Sequence, residues 1–348
     1  MKILVTGGAG FIGSHTVVAL SEAGYEPVIL DNFSNSDKSS LLGMAQILGK
    51  KVKCYNKNCL DKKVLKHILS DEKIEGVIHF AAYKAVGESV KNPLDYYENN
   101  VASLVTLLQT IIEVGIENII FSSSATVYGL TEEMPVTELT PIQAATSPYG
   151  NTKQIGEEIL KDVFASGAKI KTAALRYFNP IGAHASGLIG ELPLGVPNNL
   201  IPFVTQTAAG IRSHLTVFGS DYPTPDGTCL RDYIHVVDLA QAHVLALNFL
   251  FGVKEYSFYD VFNIGTGNAH SVKTVIDTFE RVTKKKIAHT MGERRAGDIP
   301  ALWADVTKAN AILGWKAKRD LEECLMDAWR WQVYLGKEIY KSSFLICK

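Results

Sequence analysis

The chain has 348 residues, 47% hydrophobic and 20% charged, a balance that fits a soluble globular protein with a large core, built as one large or two interlocked domains. Its 35 basic against 36 acidic residues leave a formal net charge of -1, which argues against a nucleic-acid partner and points to a small molecule, with the short run at 284–286 read as a solvated face. Cys54, Cys59, Cys229, Cys324 and Cys347 are scattered without a CxxC pair, and the nine histidines form no HxxxH or HExxH pattern, so neither a disulfide framework nor a metal site is expected.

KILVT at the start reads as a buried strand and runs into TGGAGFIGSH. There Gly7, Gly10 and Gly13 are spaced GxxGxxG, and Gly8 also completes GxGxxG. A strand enters this turn and a helix, SHTVVALSEAG, leaves it, so backbone N–H groups at the helix start can hold a pyrophosphate. The next strand, YEPVILD, ends in Asp31, placed to accept hydrogen bonds from an adenosine ribose and to repel a 2′-phosphate, which favours NAD over NADP. The bland alternative is a tight turn with a capping Asp.

KVKCYN, GVIHFAA, NIIFSSS and IKTAALRYFN continue the strand pattern, with NNVASLVTLLQTIIEVG as a helix between them. The expected architecture is α/β, a parallel doubly wound Rossmann sheet with helices on both faces. Ser122, Ser123 and Ser124 fall at the carboxyl end of a strand, where such sheets bind ligands. In SPYGNTK, Ser147 is a helix cap and Pro148 lies in the first turn, so Tyr149 and Lys153 share one helix face a turn apart. A phenol has a reference pKa of about 10, and lowering it by roughly 3 units takes about 4 kcal/mol of preferential phenolate stabilisation; Lys153 and a nicotinium charge can supply it together. A surface helix contact remains the alternative for this pair.

Beyond about residue 180 the texture becomes loop-rich, as in NPIGAHASGLIGELPLGVPNN and SDYPTPDGTCLRDY, which suggests a smaller mixed α/β substrate domain over the sheet's carboxyl edge. The division expected is 1–180 for the NAD-binding domain, with some later segments returning to it, and 181–348 for the substrate domain. The longest late apolar run, VLALNFLFGV, contains an Asn and is too short to span a bilayer, so no membrane association and a cytoplasmic location are expected.

TGGAGFIGSH, Asp31-Asn32, HFAAYKAVGESV, FSSSATVYG, the Tyr149–Lys153 pair, RYFNPIGAH, PNNLIP, RDYIHVVDLA and RRAGDIPALWAD together resemble the UDP-glucose 4-epimerases, members of the extended short-chain dehydrogenases/reductases, from residue 1 to about 332. The resemblance implies tightly bound NAD, UDP-glucose and UDP-galactose as substrates, and a homodimer through helices near 93–114 and 148–166. It implies that Tyr149 removes the proton of the sugar 4-hydroxyl, that Ser124 holds the 4-oxygen, and that Lys153 binds the nicotinamide ribose and depresses the Tyr149 pKa. NAD contacts are implied for Phe11, Ile12, Asp31, Asn32, Phe33, Ser34, Asn35, Ser36, Asn58 and Cys59. The same set continues with Phe80, Ala81, Ala82, Lys84, Asn99, Ser122 and Phe178. Asn58 stands where an Asp is common and Ala82 where a Gly is frequent.

For the nucleotide sugar, the resemblance sets Arg231 and Arg295 at the diphosphate, Asn179 and Asn199 on the nucleotide, Phe218 on uracil and Asp298 at its ribose. Leu302 stands where family members differ between Tyr and Cys, a wall governing N-acetylated sugars. From the residues alone, Arg231 can equally pair with Asp232 or Asp238. Rival readings are a 4,6-dehydratase, which needs added carboxylates that SSSATV lacks, a decarboxylase, an epimerase of uronates or N-acetyl sugars, and a non-catalytic NAD-binding regulator. A serine hydrolase is disfavoured because no GxSxG elbow occurs.

Overall fold

The computed structural model describes residues 1–295 and 298–346; Ala296 and Gly297 of the RRAGDIP segment and Cys347 lie outside the described residues. In the first half, β1 (Lys2–Thr6), β2 (Glu26–Asp31), β3 (Lys53–Asn56), β4 (Gly76–His79), β5 (Asn118–Ser124) and β6 (Lys171–Tyr177) alternate with helices. These are α1 (Phe11–Glu22), α2 (Ser39–Leu48), α3 (Lys62–Asp71), α4 (Val86–Lys91), α5 (Pro93–Tyr96), α6 (Ser103–Val114) and α7 (Pro148–Ala165). The second half adds strands β7 (Asn179–Ile181), β8 (Leu215–Phe218), β9 (Leu230–His235), β10 (Phe258–Ile264), β11 (Ala269–Ser271), β12 (His289–Gly292) and β13 (Ala301–Leu302). Its helices are α8 (Leu200–Ala208), α9 (Val236–Gly252), α10 (Val272–Thr283), α11 (Thr307–Leu313) and α12 (Leu321–Ile346).

Seven strands form one sheet in the order β3-β2-β1-β4-β5-β6-β10, and every pairing is parallel. This is the doubly wound Rossmann-type α/β fold, with the strand order reversing between β1 and β4. Both faces are covered, as near-continuous burial along β1 and β4 requires. On one face Val17, Leu20, Met44, Leu239 and Leu247 of α1, α2 and α9 pack on Ile3, Ile29 and Phe262. On the other, Leu65, Leu104, Ile111 and Leu160 of α3, α6 and α7 pack on Leu4, Val77 and Ile119.

The six strands expected from the sequence are all present, and the seventh, β10, comes from the half after residue 180. Its residues Phe258–Val261 are only partly buried, so the apolar signal that marks β1 or β4 is diluted there. The expected helix over NNVASLVTLLQTIIEVG begins instead as a π-helix, Tyr97–Ala102, before α6. Beyond the large sheet, β9 pairs with β11, β13 and β7, and β8 pairs with β12. Val204, Phe279, Leu325 and Ala328 of α8, α10 and α12 close over these strands. Among the described residues no helix is long and apolar enough to cross a membrane.

Three histidines are buried inside the Rossmann layers. His15 Nδ1 donates to the Phe11 carbonyl at 2.7 Å, His79 Nδ1 meets Thr6 Oγ1 at 2.8 Å, and His243 Nδ1 donates to the Leu239 carbonyl at 2.8 Å while its Nε2 accepts from the Tyr177 hydroxyl at 2.5 Å. Burial pushes His15 and His79 down to about 3 and His243 down to about 4, from an ordinary 6.5. The unfolded chain therefore binds these protons below about pH 6.5 while the native chain stays unprotonated until about pH 3–4, so this contribution to stability is present at neutral pH and lost as pH falls through that window. The urea midpoint should drop from pH 7 to pH 5, with close to three protons taken up on unfolding; a midpoint that stays level or rises refutes this.

Candidate active site

The glycine turn is built by close approach. Gly7 has φ +69°, its amide donates to the Leu30 carbonyl at 2.8 Å, and a Cβ on it would lie 2.8 Å from the Ala81 nitrogen. A Cβ on Gly13 would collide with the Gly7 carbonyl oxygen and the Gly8 backbone. Helix α1 has Gly10 at its N-cap, with no side-chain cap and no acid in its first turn, and its first residues Phe11, Ile12 and Gly13 line the cleft, so their N–H groups are free for an anion. Asp31 braces the turn: Oδ2 accepts from the Ala9 amide, and Oδ1 from the Phe33 amide and the Ser36 hydroxyl, each at 2.9 Å. A carboxylate has about four acceptor positions, so roughly one stays open to a ligand donor.

A cleft of about 290 Å³ opens over the carboxyl ends of the parallel strands. Gly7, Gly10, Phe11, Ile12, Gly13, Asp31, Asn32, Ser34, Asn35 and Ser36 line one end, together with Asn58 and Cys59. Phe80, Ala81, Ala82, Lys84, Asn99, Ser122, Lys153 and Phe178 continue the wall, and Ser124, Tyr149, Asn179 and Asn199 complete it. Phe33 does not reach this wall: its backbone is left-handed at φ +57°, and the Lys38 ammonium sits 5.5 Å above its ring. The π-helix matters here, because it carries Asn99 to the wall and leaves Asn100 buried beside it. Asn100 accepts from the Tyr83 amide at 2.8 Å and donates to the Tyr83 carbonyl at 3.0 Å and Thr152 Oγ1 at 3.1 Å.

Helix α7 starts as the sequence indicates, with Ser147 Oγ accepting from the Gly150 amide at 3.1 Å and Pro148 in the first turn. Lys153 Nζ donates to the Ser122 carbonyl at 2.6 Å and lies 6.0 Å from the Tyr149 ring centroid. Burial raises the Tyr149 phenol above its ordinary value, and a hydrogen bond with Ser124 opposes that rise. Burial also pulls the Lys153 ammonium down to about 8, against the pull of Glu157. The cleft therefore holds a phenol, a hydroxyl and a buried cation next to one another, the parts needed to move a proton from an alcohol.

The remaining sugar-nucleotide candidates form a second group outside the cleft wall. Asp298 Oδ1 lies 2.7 Å from Arg295 Nη2 and 3.8 Å from Arg231 Nη2, and the Arg295 guanidinium is 6.0 Å from the Phe218 ring centroid. Arg231 does not pair with Asp232 or Asp238. Asp232 is occupied by Thr266, Gly267 and Ala304, and Asp238 by Arg319. Leu302 pairs with Arg231 in the β13–β9 register and packs with Phe178, a residue of the cleft wall. Lys57, Tyr83, Thr126 and Tyr177 also line the cleft; they flank residues marked by the sequence but carry no motif of their own. Glu191 carries no sequence signal either, and its Oε1 accepts from Lys84 at 2.9 Å and Asn199 at 2.6 Å, joining two residues of the cleft wall.

A parallel Rossmann sheet, a glycine turn braced by an acid, and a Tyr–Lys pair below a serine strand together define the extended short-chain dehydrogenase/reductase class. The family model described as GDP-mannose 4,6 dehydratase matches residues 4–328. UDP-glucose 4-epimerase of Bacillus subtilis (strain 168) is 50% identical over 332 residues, covering 95% of this chain and 97% of the relative. UDP-glucose 4-epimerase 2 of Arabidopsis thaliana is 51% identical over 333 residues, 95% and 94% of the two chains. The solved UDP-glucose-4-epimerase from Stenotrophomonas maltophila, with bound NAD and formylated UDP-arabinopyranose, superposes with a TM-score of 0.94 at 44% identity, covering 97% of this chain and 99% of that one. The chain belongs to the UDP-glucose 4-epimerase family.

The close approach at the turn gives a direct test. Gly13→Ala should lower stability by about 2 kcal/mol or more, because backbone must move to admit the methyl. Gly87→Ala in α4, where a Cβ meets open space, should be neutral or slightly stabilising. Equal urea midpoints for the two variants would refute the packing argument.

Proposed function

We propose that the chain interconverts UDP-galactose and UDP-glucose at C4 with NAD held in the cleft. The observation that carries this reading is the meeting of Tyr149, Ser124 and Lys153 at the carboxyl end of β5, in one cleft with the glycine turn and Asp31. The first-turn amides of α1 would seat the pyrophosphate, and Asp31 would take a ribose hydroxyl and disfavour a 2′-phosphate. Bound NAD supplies a hydride acceptor that gives the hydride back, so no net redox change results. Tyr149 takes the proton of the 4-hydroxyl while Ser124 holds the 4-oxygen; after the 4-keto sugar turns over, Tyr149 returns the proton. Lys153 holds the nicotinamide ribose and favours phenolate by its charge.

The division of labour is part of the proposal. Residues 1–180, with β10 and α9 returning to the sheet, would hold the cofactor, and 181–348 would supply Asn199, Phe218, Arg231, Arg295 and Asp298 for the UDP group, joined by Asn179 at the boundary. SSSATV brings no carboxylate beside Tyr149, which disfavours a 4,6-dehydratase. A cytoplasmic location is part of the same reading. Purified protein given UDP-galactose, with only copurified NAD or with NAD added, should form UDP-glucose, and Tyr149→Phe should keep NAD but lose at least about a hundredfold in kcat. No UDP-glucose under either condition, or stoichiometric NADH release, sinks the proposal.

A homodimer belongs to the proposal as well. Leu94, Ile112 and Phe164, on the two segments read as the subunit contact, are 79%, 41% and 37% exposed, an apolar surface that a second copy would cover. Light scattering should give twice the 38.1 kDa chain mass, and Leu94→Glu should shift it toward the monomer. A monomeric wild-type protein refutes this part.

A further inference from the structure

Helix α7 carries Tyr149, Lys153 and Glu157 at intervals of four residues, on one face. Each meets a different one of three consecutive serines at the end of β5. Tyr149 shares the cleft wall with Ser124, whose side chain opposes the rise of the phenol, Lys153 Nζ donates to the Ser122 carbonyl at 2.6 Å, and Glu157 Oε1 accepts from Ser123 Oγ at 2.5 Å. The first two contacts belong to the proposed chemistry, whereas Glu157 does not line the cleft.

Glu157 is nevertheless the most heavily bonded of the three. It is 5% exposed, and its carboxylate accepts from Arg176 Nε at 2.9 Å and Nη2 at 2.6 Å, fork to fork. Arg176, on β6 and 4% exposed, donates through Nη1 to the Tyr128 hydroxyl at 3.0 Å, which in turn donates to Asn263 Oδ1 on β10 at 2.6 Å. One carboxylate thus ties α7 to β5 and β6 and, through Arg176 and Tyr128, to β10. A buried ion pair is a poor way to gain stability, since apolar residues of similar volume often serve as well or better. Stability alone does not account for two charges placed behind the Tyr–Lys pair.

We propose that Glu157 is a positioning residue for the reaction: clamped between Ser123 and Arg176, it seats α7 on β5 so that Tyr149 faces Ser124, and it balances the Arg176 charge that would otherwise bear on Lys153. For what Tyr149 and Lys153 do, this rests on the epimerase reading; for Glu157 it rests on geometry. The groups around Lys153 are Tyr149 and Glu157, each one turn away on α7, the Phe121 ring and Ser122 carbonyl on β5, and His79 on β4, and Arg176 on β6 is joined to this group through its bonds to Glu157. His79 is neutral, held down to about 3 by burial. Glu157 is therefore the acid among them and Arg176 the permanent cation, so loss of the Glu157 charge leaves Arg176 unopposed. Burial already brings the Lys153 ammonium to about 8, within reach of titration.

The test reads Lys153 itself. In protein labelled with ¹⁵N-lysine, its Nζ signal is assigned by its loss in Lys153→Arg, and its titration midpoint is followed by NMR. Glu157→Gln should lower that midpoint by about one pH unit, and the alkaline limb of kcat on UDP-galactose should move with it while KM stays within about threefold. Glu157→Gln combined with Arg176→Met, which removes both charges, should bring the midpoint back to within a few tenths of wild type. Ser123→Ala keeps both charges and should lower kcat about fivefold with the midpoint unchanged, so it tests the seating even where Glu157→Gln folds poorly. An unmoved Lys153 midpoint in Glu157→Gln, whatever its thermal stability, overturns the charge role, and an unchanged kcat in Ser123→Ala overturns the seating role. A wild-type protein that does not turn over UDP-galactose would fail the epimerase reading instead, and the midpoints would still decide the role of Glu157.

Discussion

The site depends on how closely backbone can approach backbone at the first turn. Gly13 lies against the Gly7 carbonyl and Gly7 against the Ala81 amide, so the start of α1 settles into the gap between β1 and β4 with no side chain in the way. That gap exists for a topological reason, since the strand order reverses there; the glycines keep it open. Asp31 then closes the turn from the β2 side through the Ala9 amide. The same carboxylate shapes the next loop through Phe33 and Ser36, so replacing it disturbs the turn as well as removing an acceptor.

How much of this is legible in the sequence follows from how local each signal is. β1, β2, β4, β5 and β6 read as strands because burial on both faces leaves apolar runs, whereas β3 is an edge strand with no fully buried residue, and α7 reads as a helix because Ser147 and Pro148 mark its start. β10 escapes because half of it is only partly buried and it arrives long after the other strands. The π-helix at Tyr97–Ala102 escapes because apolar periodicity does not distinguish it from the α-helix that follows. Asp31, Tyr149 and Lys153 are legible by position relative to a strand end or helix start. Arg231, Arg295, Asp298 and Phe218 are not, for they come from separate segments and meet only through tertiary ion pairs and a ring contact; only the family resemblance singled them out. Glu191 and Glu157 illustrate the remaining blind spot, buried or half-buried acids whose partners are far away in sequence.

The two groups of candidate residues differ in how they are held, and the difference suits their tasks. The cleft stands on strand ends and a helix face, where positions are set by the sheet, as proton transfer between closely placed atoms demands. Phe218, Arg295 and Asp298 stand at the end of a short strand and in the segment after β12, and both Phe218 and Arg295 are substantially exposed. Here one carboxylate lies between two guanidinium groups, 2.7 Å from Arg295 and 3.8 Å from Arg231, which on the proposed reading would gather both cations for a diphosphate. Leu302 joins the groups: it shares a register with Arg231 and a packing cluster with Phe178.

The acid–base balance of the cleft sets a final condition on its chemistry. Burial raises the Tyr149 phenol and lowers the Lys153 ammonium, so it works against the phenolate on both counts. Within the chain, Ser124 opposes the first effect by hydrogen bonding and Glu157 opposes the second by its charge, and neither reverses the order. The protein's own groups thus keep the proton on Tyr149 at neutral pH. A positive charge brought into the cleft beside the phenol changes that balance, because in a buried site it favours phenolate far more strongly than it would in water. On the proposed reading, a base built this way would be weak until a cationic ring lay next to it, which would tie removal of the sugar's proton to the presence of the group that takes the hydride.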